Sequence, residues 1–135
     1  MDCIFCKIIA GQIPSVIVYE DEKVLAILDI NPVNEGHVLV MPKMHAENLE
    51  EVSGQDLTAV ILAVQKLGSA VKRGLGVSGY NVTENNDPVA GQAIAHLHFH
   101  IIPRLASDGL RPWPQRQYEG TERMNEVAEK IKRAL

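Results

Sequence analysis

Cysteine is nearly absent from this chain, as are long apolar runs and any surplus of basic charge. With Cys3 and Cys6 the only cysteines among 135 residues, no disulfide framework staples the fold, and a hydrophobic core has to hold it together. A formal net charge of -4 leaves no basic footprint to neutralise a phosphodiester backbone, which excludes dedicated nucleic-acid binding but leaves a small anionic ligand open. No apolar run approaches the length that spans a bilayer, and no basic stretch leads into an apolar segment with a small-residue cleavage site. The expectation is a soluble cytoplasmic protein with no membrane partner. In that reducing compartment two thiols three positions apart suggest metal ligation or redox chemistry, against the plainer reading of two unpaired thiols in the first turn of a short helix.

What is present is ordinary globular composition, 46% hydrophobic and 22% charged, in a chain of common single-domain length, so residues 1–135 are read as one domain. Ile4/Ile8 and Phe5/Ile9 fall at i, i+4, predicting a short helix that Gly11 stops. Val16–Glu20 and Val24–Leu28 read as a hairpin of two strands. The turn Asn31–Gly36 leads to a third strand, His37–Met41, closed by Pro42. From Gly54 to about Gly74 the apolar residues Leu57, Val60, Ile61, Val64, Leu67 and Val71 recur at threes and fours, a long amphipathic helix with Ser53 as its N-cap and Gly74/Gly76 as its stop. A strand over Tyr80–Glu84, a polar loop over 85–93 and a second strand ended by Pro103 follow. After an irregular stretch around Pro112-Trp113-Pro114, Glu122–Leu135 reads as a terminal helix with Val127 and Ile131 on one side. The predicted class is α+β, an antiparallel sheet of about five strands with the long helix on one face and a short N-terminal helix.

Chemistry concentrates in His96-Leu97-His98-Phe99-His100-Ile101-Ile102. On a strand, alternation lines one face with three imidazoles and presses Leu97, Phe99 and Ile101 into a core. Three jobs compete for the imidazoles. They can chelate a metal, act as acid/base or nucleophile with a lone pair free at neutral pH, or merely line a polar face.

This run resembles the signature of the histidine triad (HIT) family, Hint-like group, His-φ-His-φ-His-φ-φ with φ apolar, and satisfies it at every position. The resemblance extends to Asn31-Pro32, to Gly36-His37-Val38-Leu39-Val40-Met41-Pro42-Lys43-Met44-His45 and to Gly91-Gln92. The opening Cys-x-x-Cys is similar to the zinc-binding subset. It implies an α+β domain that dimerises through its long helix and adjoining strand. It also implies hydrolysis of a nucleoside monophosphate from a leaving group on its α-phosphorus. By the same resemblance His98 is the nucleophile, His100 donates to the phosphate and His37 orients the cluster. Asn85, Gly91 and Gln92 contact the phosphate and leaving-group side, Asp29 accepts from the ribose, and Phe5, Ile8, Leu28 and Ile30 form the slot for a purine base. Read without the resemblance, Asp29 is a turn-capping Asx residue and Phe5 and Ile8 are plain core.

The resemblance likewise assigns Cys3, Cys6, His45 and His96 to one structural zinc per chain, a closed set with no open position for water. The competing reading, a thioredoxin-type redox motif, belongs at a βα junction, and here the motif opens the chain. Two positions refine the expectation. Ala93 stands where many relatives carry a hydroxyl that can assist the leaving group, which leaves that preference open. His100 rather than Gln at the third position of the triad favours hydrolase over nucleotidyltransferase. The expected function is cleavage of AMP from a phosphoramidate or other adenylylated compound through a nucleotidyl-histidine. The alternatives are dinucleoside polyphosphate hydrolysis and a nucleotide-binding scaffold with vestigial turnover.

Overall fold

In the computed structural model, which describes residues 2–135, five short β-rich segments pair into one antiparallel sheet. They are β1 Ile17–Glu20, β2 Val24–Leu28, β3 Val38–Pro42, β4 Gly79–Glu84 and β5 Phe99–Arg104, in the order β1-β2-β3-β5-β4. The first three form the predicted meander. Helix α1 covers Ile4–Ile9, α2 Gly54–Leu75 and α3 Thr121–Ala134.

The near-continuous apolar character of β2 and β3 follows from burial on both faces. Val24, Ala26, Val38 and Val40 pack with Leu97, Phe99 and Ile101 beneath Val60, Ala63, Val64, Leu67 and Val71 of α2. On the reverse face Leu25, Ile27, Leu39 and Met41 meet Cys3 and Phe5 of the α1 segment. The local signals for α2 act as expected. The Ser53 hydroxyl accepts from the Asp56 N–H at 3.0 Å, and Gly76 ends the helix in the left-handed region at φ 66°. Gly68 lets α2 approach β4, since a Cβ there would sit 2.6 Å from the Tyr80 ring. Helix α3 buries no residue.

The histidine strand departs from expectation at both ends. Its ladder begins at Phe99, so His96 and His98 precede it, and it continues through Pro103 to Arg104. Pro103 pairs with Tyr80 of β4, but its carbonyl turns the other way, accepting from Asn34 Nδ2 at 2.8 Å. Its ring nitrogen therefore faces the β3 side, beyond the last β3 pair at Val38–Ile101. There no ladder bond is lost, and proline is tolerated. The alternation nonetheless holds past the ladder, with Leu97 and Ile101 fully buried on the α2 side.

Candidate active site and metal centre

His96 and His98 enter from the extended segment before β5, His100 from β5, His37 from the residue before β3, and Phe5 from α1. His96 is fully buried and its Nε2 lies 2.8 Å from the Pro42 carbonyl. A carbonyl only accepts, so Nε2 carries the proton and Nδ1 presents a lone pair. That Nδ1 lies 3.4 Å from Cys3 Sγ, 3.6 Å from Cys6 Sγ and 3.2 Å from His45 Nδ1, and Cys6 Sγ is 3.4 Å from His45 Nδ1. The four donor atoms all fall within 4.8 Å of one another. Metal–ligand bonds of about 2.0–2.3 Å in a tetrahedron put ligand atoms roughly 3.3–3.8 Å apart, so the spacing and the donor set fit a tetrahedral thiophilic ion. Burial and the neighbouring Cys3 raise the Cys6 thiol above its ordinary value, a cost that a bound cation reverses. The chain brings together all four residues expected of a metal site, and they could hold one ion.

The same accounting fixes the other rings. His98 Nδ1 lies 2.7 Å from the His96 carbonyl, so it donates, and Nε2 keeps its lone pair. The Val33 N–H donates to His37 Nδ1 at 3.1 Å, which leaves the His37 proton on Nε2, 2.9 Å from His100 Nδ1. His100 in turn carries its proton on Nε2. A relay of backbone N–H, His37 and His100 thus ends in a donor, beside a His98 that offers an acceptor. The His98 and His100 rings lie 4.9 Å apart between centroids. Burial lowers the His37 pKa, with Asp29 partly opposing it. Burial, aided by His98 and His37, pushes His100 down to about 4. Both relay imidazoles are neutral at pH 7, the state this hydrogen-bond pattern requires.

Asp29 does two things at once. Its Oδ1 accepts from the Asn31 N–H at 2.8 Å, the turn-capping arrangement, while Oδ2 stands 3.8 Å from His37 Nε2. Phe5 is buried and meets the His98 ring edge-on at 5.1 Å. Ile8 packs against the same cluster. Leu28 does not: it faces α2 with the other core, and Ile27 takes the place beside Phe5. The period-2 rule applied forward from Leu25 selects Ile27. Ile30 is 89% exposed. In the loop before His96, Asn85 Nδ2 donates to the Gly91 carbonyl at 3.4 Å, and Gly91 adopts φ 95°, in the region that favours glycine. Both ends of the Gln92 amide are occupied, one within the loop and one by the segment after β3. Its Oε1 accepts from the Asp87 N–H at 2.8 Å and its Nε2 donates to the Glu47 carbonyl at 2.6 Å. Trp113 is 82% exposed. Glu84, read only as strand from sequence, carries a half-buried carboxyl that burial holds above the usual carboxylate range, in the field of His98.

The pattern that defines the HIT domain matches residues 10–107. The chain belongs to the HIT domain family. Relatives include an uncharacterized HIT-like protein of Methanocaldococcus jannaschii, 55% identical over 107 residues covering 79% of this chain and 82% of that protein. An adenosine 5'-monophosphoramidase of Schizosaccharomyces pombe is 44% identical, covering 77% of this chain and 75% of its own. An adenylylsulfatase of Arabidopsis thaliana is 43% identical, covering 81% of this chain and 55% of its own. Among solved structures a Streptococcus mutans protein superposes with TM-score 0.93 at 39% identity over 98% of this chain and 85% of that one. A zinc-bound histidine triad family protein of Mycobacterium smegmatis superposes at 0.78 with 33% identity, over 100% and 99% of the two chains. The shared HIT fold is thereby established, and with it the setting of the histidine strand. Among the described residues no helix is long and apolar enough to cross a membrane.

Proposed function

We propose that this HIT protein cleaves AMP from an adenylylated compound, a phosphoramidate or a mixed anhydride, in two displacements at phosphorus. The observation that carries the reading is the pair of opposed tautomers. His98 offers an Nε2 lone pair because its Nδ1–H is spent on the His96 carbonyl, while His100 offers a proton because its Nδ1 accepts from His37. In the first displacement His98 Nε2 attacks the α-phosphorus, and the bond to the leaving group breaks with its electron pair, which takes up a proton from solvent. In the second, water attacks the same phosphorus and gives up a proton to solvent, the P–Nε2 bond breaks, and the pair returns to the ring as AMP departs. The His100 Nε2–H donates to a non-bridging oxygen, where charge accumulates. Asp29 accepts from the ribose, and Phe5, Ile8 and Ile27 with Ile30 form the base slot. Asn85, Gly91 and Gln92 shape the leaving-group side, Gly91 through its backbone.

The ion suited to Cys3, Cys6, His45 and His96 is zinc, one per chain, which would hold α1 against the sheet while chemistry stays at His98. We further propose a cytoplasmic homodimer acting on small nucleotide conjugates. The names of the relatives support this reading, since a monophosphoramidase and an adenylylsulfatase both part an adenylate from a small group. Replacing His98→Ala should leave folding and metal content intact and abolish turnover of an adenosine phosphoramidate. Undiminished activity in that variant contradicts the mechanism. A panel that sets adenosine phosphoramidates against diadenosine polyphosphates tests the substrate class. AMP binding with no turnover anywhere in the panel would reduce the protein to a nucleotide binder.

A further inference from the structure

The nucleophile stands outside the ladder that orders the rest of its strand. Pairing to both β3 and β4 stops at Phe99, and the preceding segment is tied by few backbone bonds, His96 N–H to the Ile94 carbonyl and Leu97 N–H to the Ala46 carbonyl. Besides the His100 ring at 4.9 Å, the contacts that orient His98 come from the candidate metal cluster. Its Nδ1–H is held by the carbonyl of His96, a ligand candidate. Its ring edge is met by Phe5, which lies between Cys3 and Cys6 and touches the His96 ring as well, at 5.8 Å. Two independent contacts to the nucleophile therefore originate on residues that one ion would fix together.

We propose that the Cys3–Cys6–His45–His96 centre is a positioning device for His98. By immobilising the His96 carbonyl and Phe5, a bound ion keeps His98 in the Nδ1–H tautomer with Nε2 free to attack. The inference rests on the assignment of His98 as nucleophile, but its test does not require turnover. Without the ion the His96 ring keeps its bond to Pro42 and only weak thiol and imidazole contacts to Cys3, Cys6 and His45, so its carbonyl is held less firmly and the tautomer that protonates Nε2 becomes populated.

The test is a two-bond proton–nitrogen correlation on the uniformly 15N-labelled protein, zinc-loaded, chelator-stripped, and as Cys6→Ser. The backbone amides of β2 and β3 report that the core is intact. Loaded protein should show His98 as Nδ1–H alone. Stripped protein and Cys6→Ser should each show an Nε2–H population, and His45→Cys, which keeps four ligands, should restore the single tautomer under zinc. Loss of the ion should lower kcat by about 10- to 100-fold, the range for such supporting contacts, with AMP affinity changed much less. A single Nδ1–H tautomer in stripped protein and in Cys6→Ser, with the core intact, overturns the proposal. A tautomer that responds in a protein without hydrolase activity would keep the positioning role and remove the hydrolase reading.

Discussion

Each imidazole of the site has one ring nitrogen already committed, and the commitment decides what the other can do. His37 matters because it stands between the Val33 N–H and His100 Nδ1. His37→Ala should leave His100 without its donor, free the tautomer to invert, and lower kcat by about 10- to 100-fold. AMP affinity, measured by calorimetry, should change little. Were the KM or the affinity to collapse while kcat held, His37 would be a binding residue and the relay would be wrong. The same burial links His100 to stability. Its pKa is about 4 in the folded protein against an ordinary 6.5, so between those values the unfolded chain binds the extra proton. Stability is then fully present above pH 6.5 and declines as pH falls toward 4. Urea unfolding across that window should show the decline in the parent and a shallower one in His100→Gln. Equal slopes would contradict the assignment.

The elements hold these residues by rules that are local, and two of them can be probed without touching the site. Ser53→Ala removes the cap that accepts from Asp56 N–H and should cost about 1 kcal/mol. Gly68→Ala drives a Cβ into the Tyr80 ring and should cost roughly 1–3 kcal/mol by overpacking, both read by chemical denaturation with activity per folded molecule unchanged. Periodicity alone exposes α2, its cap and stop, and the meander, because each depends on neighbours within a turn or a pleat. The sheet order, with β5 inserted between β3 and β4, has no local signature. Nor has the end of β5, since the cost of Pro103 depends on which side its nitrogen faces. The face of Leu28 is not legible for a related reason, since Leu28 packs with the α2 core and Ile27 with Phe5. In a strand buried on both faces every residue is apolar, so composition no longer marks the face. The tautomer relay was beyond reach, because it joins His37 to His100 and a loop N–H that no pattern in the chain brings together.

At the scale of the molecule a cluster that could hold a metal and the proposed nucleophile share one segment, His96 to His98, and Phe5 of α1 meets the rings of both. Metal analysis of protein purified without chelator should find about one zinc per chain. Removing it should lower the unfolding temperature, and Cys3→Ser should lose both the metal and that stabilisation; protein free of zinc with reduced thiols and undiminished stability would contradict the centre. Helix α3 has no buried residue, so truncation after Tyr118 should leave the unfolding temperature of the isolated chain nearly unchanged. The site and the core that carries it lie in the remainder. Everything proposed for that site turns on His98 taking the nucleotidyl group. The most direct measurement is mass spectrometry of the protein after rapid quench with an adenosine phosphoramidate. An adenylyl adduct on His98, absent from His98→Ala and decaying at the rate of AMP release, is the predicted result. Full turnover with no adduct on His98 at any quench time, or an adduct on another residue, would contradict it.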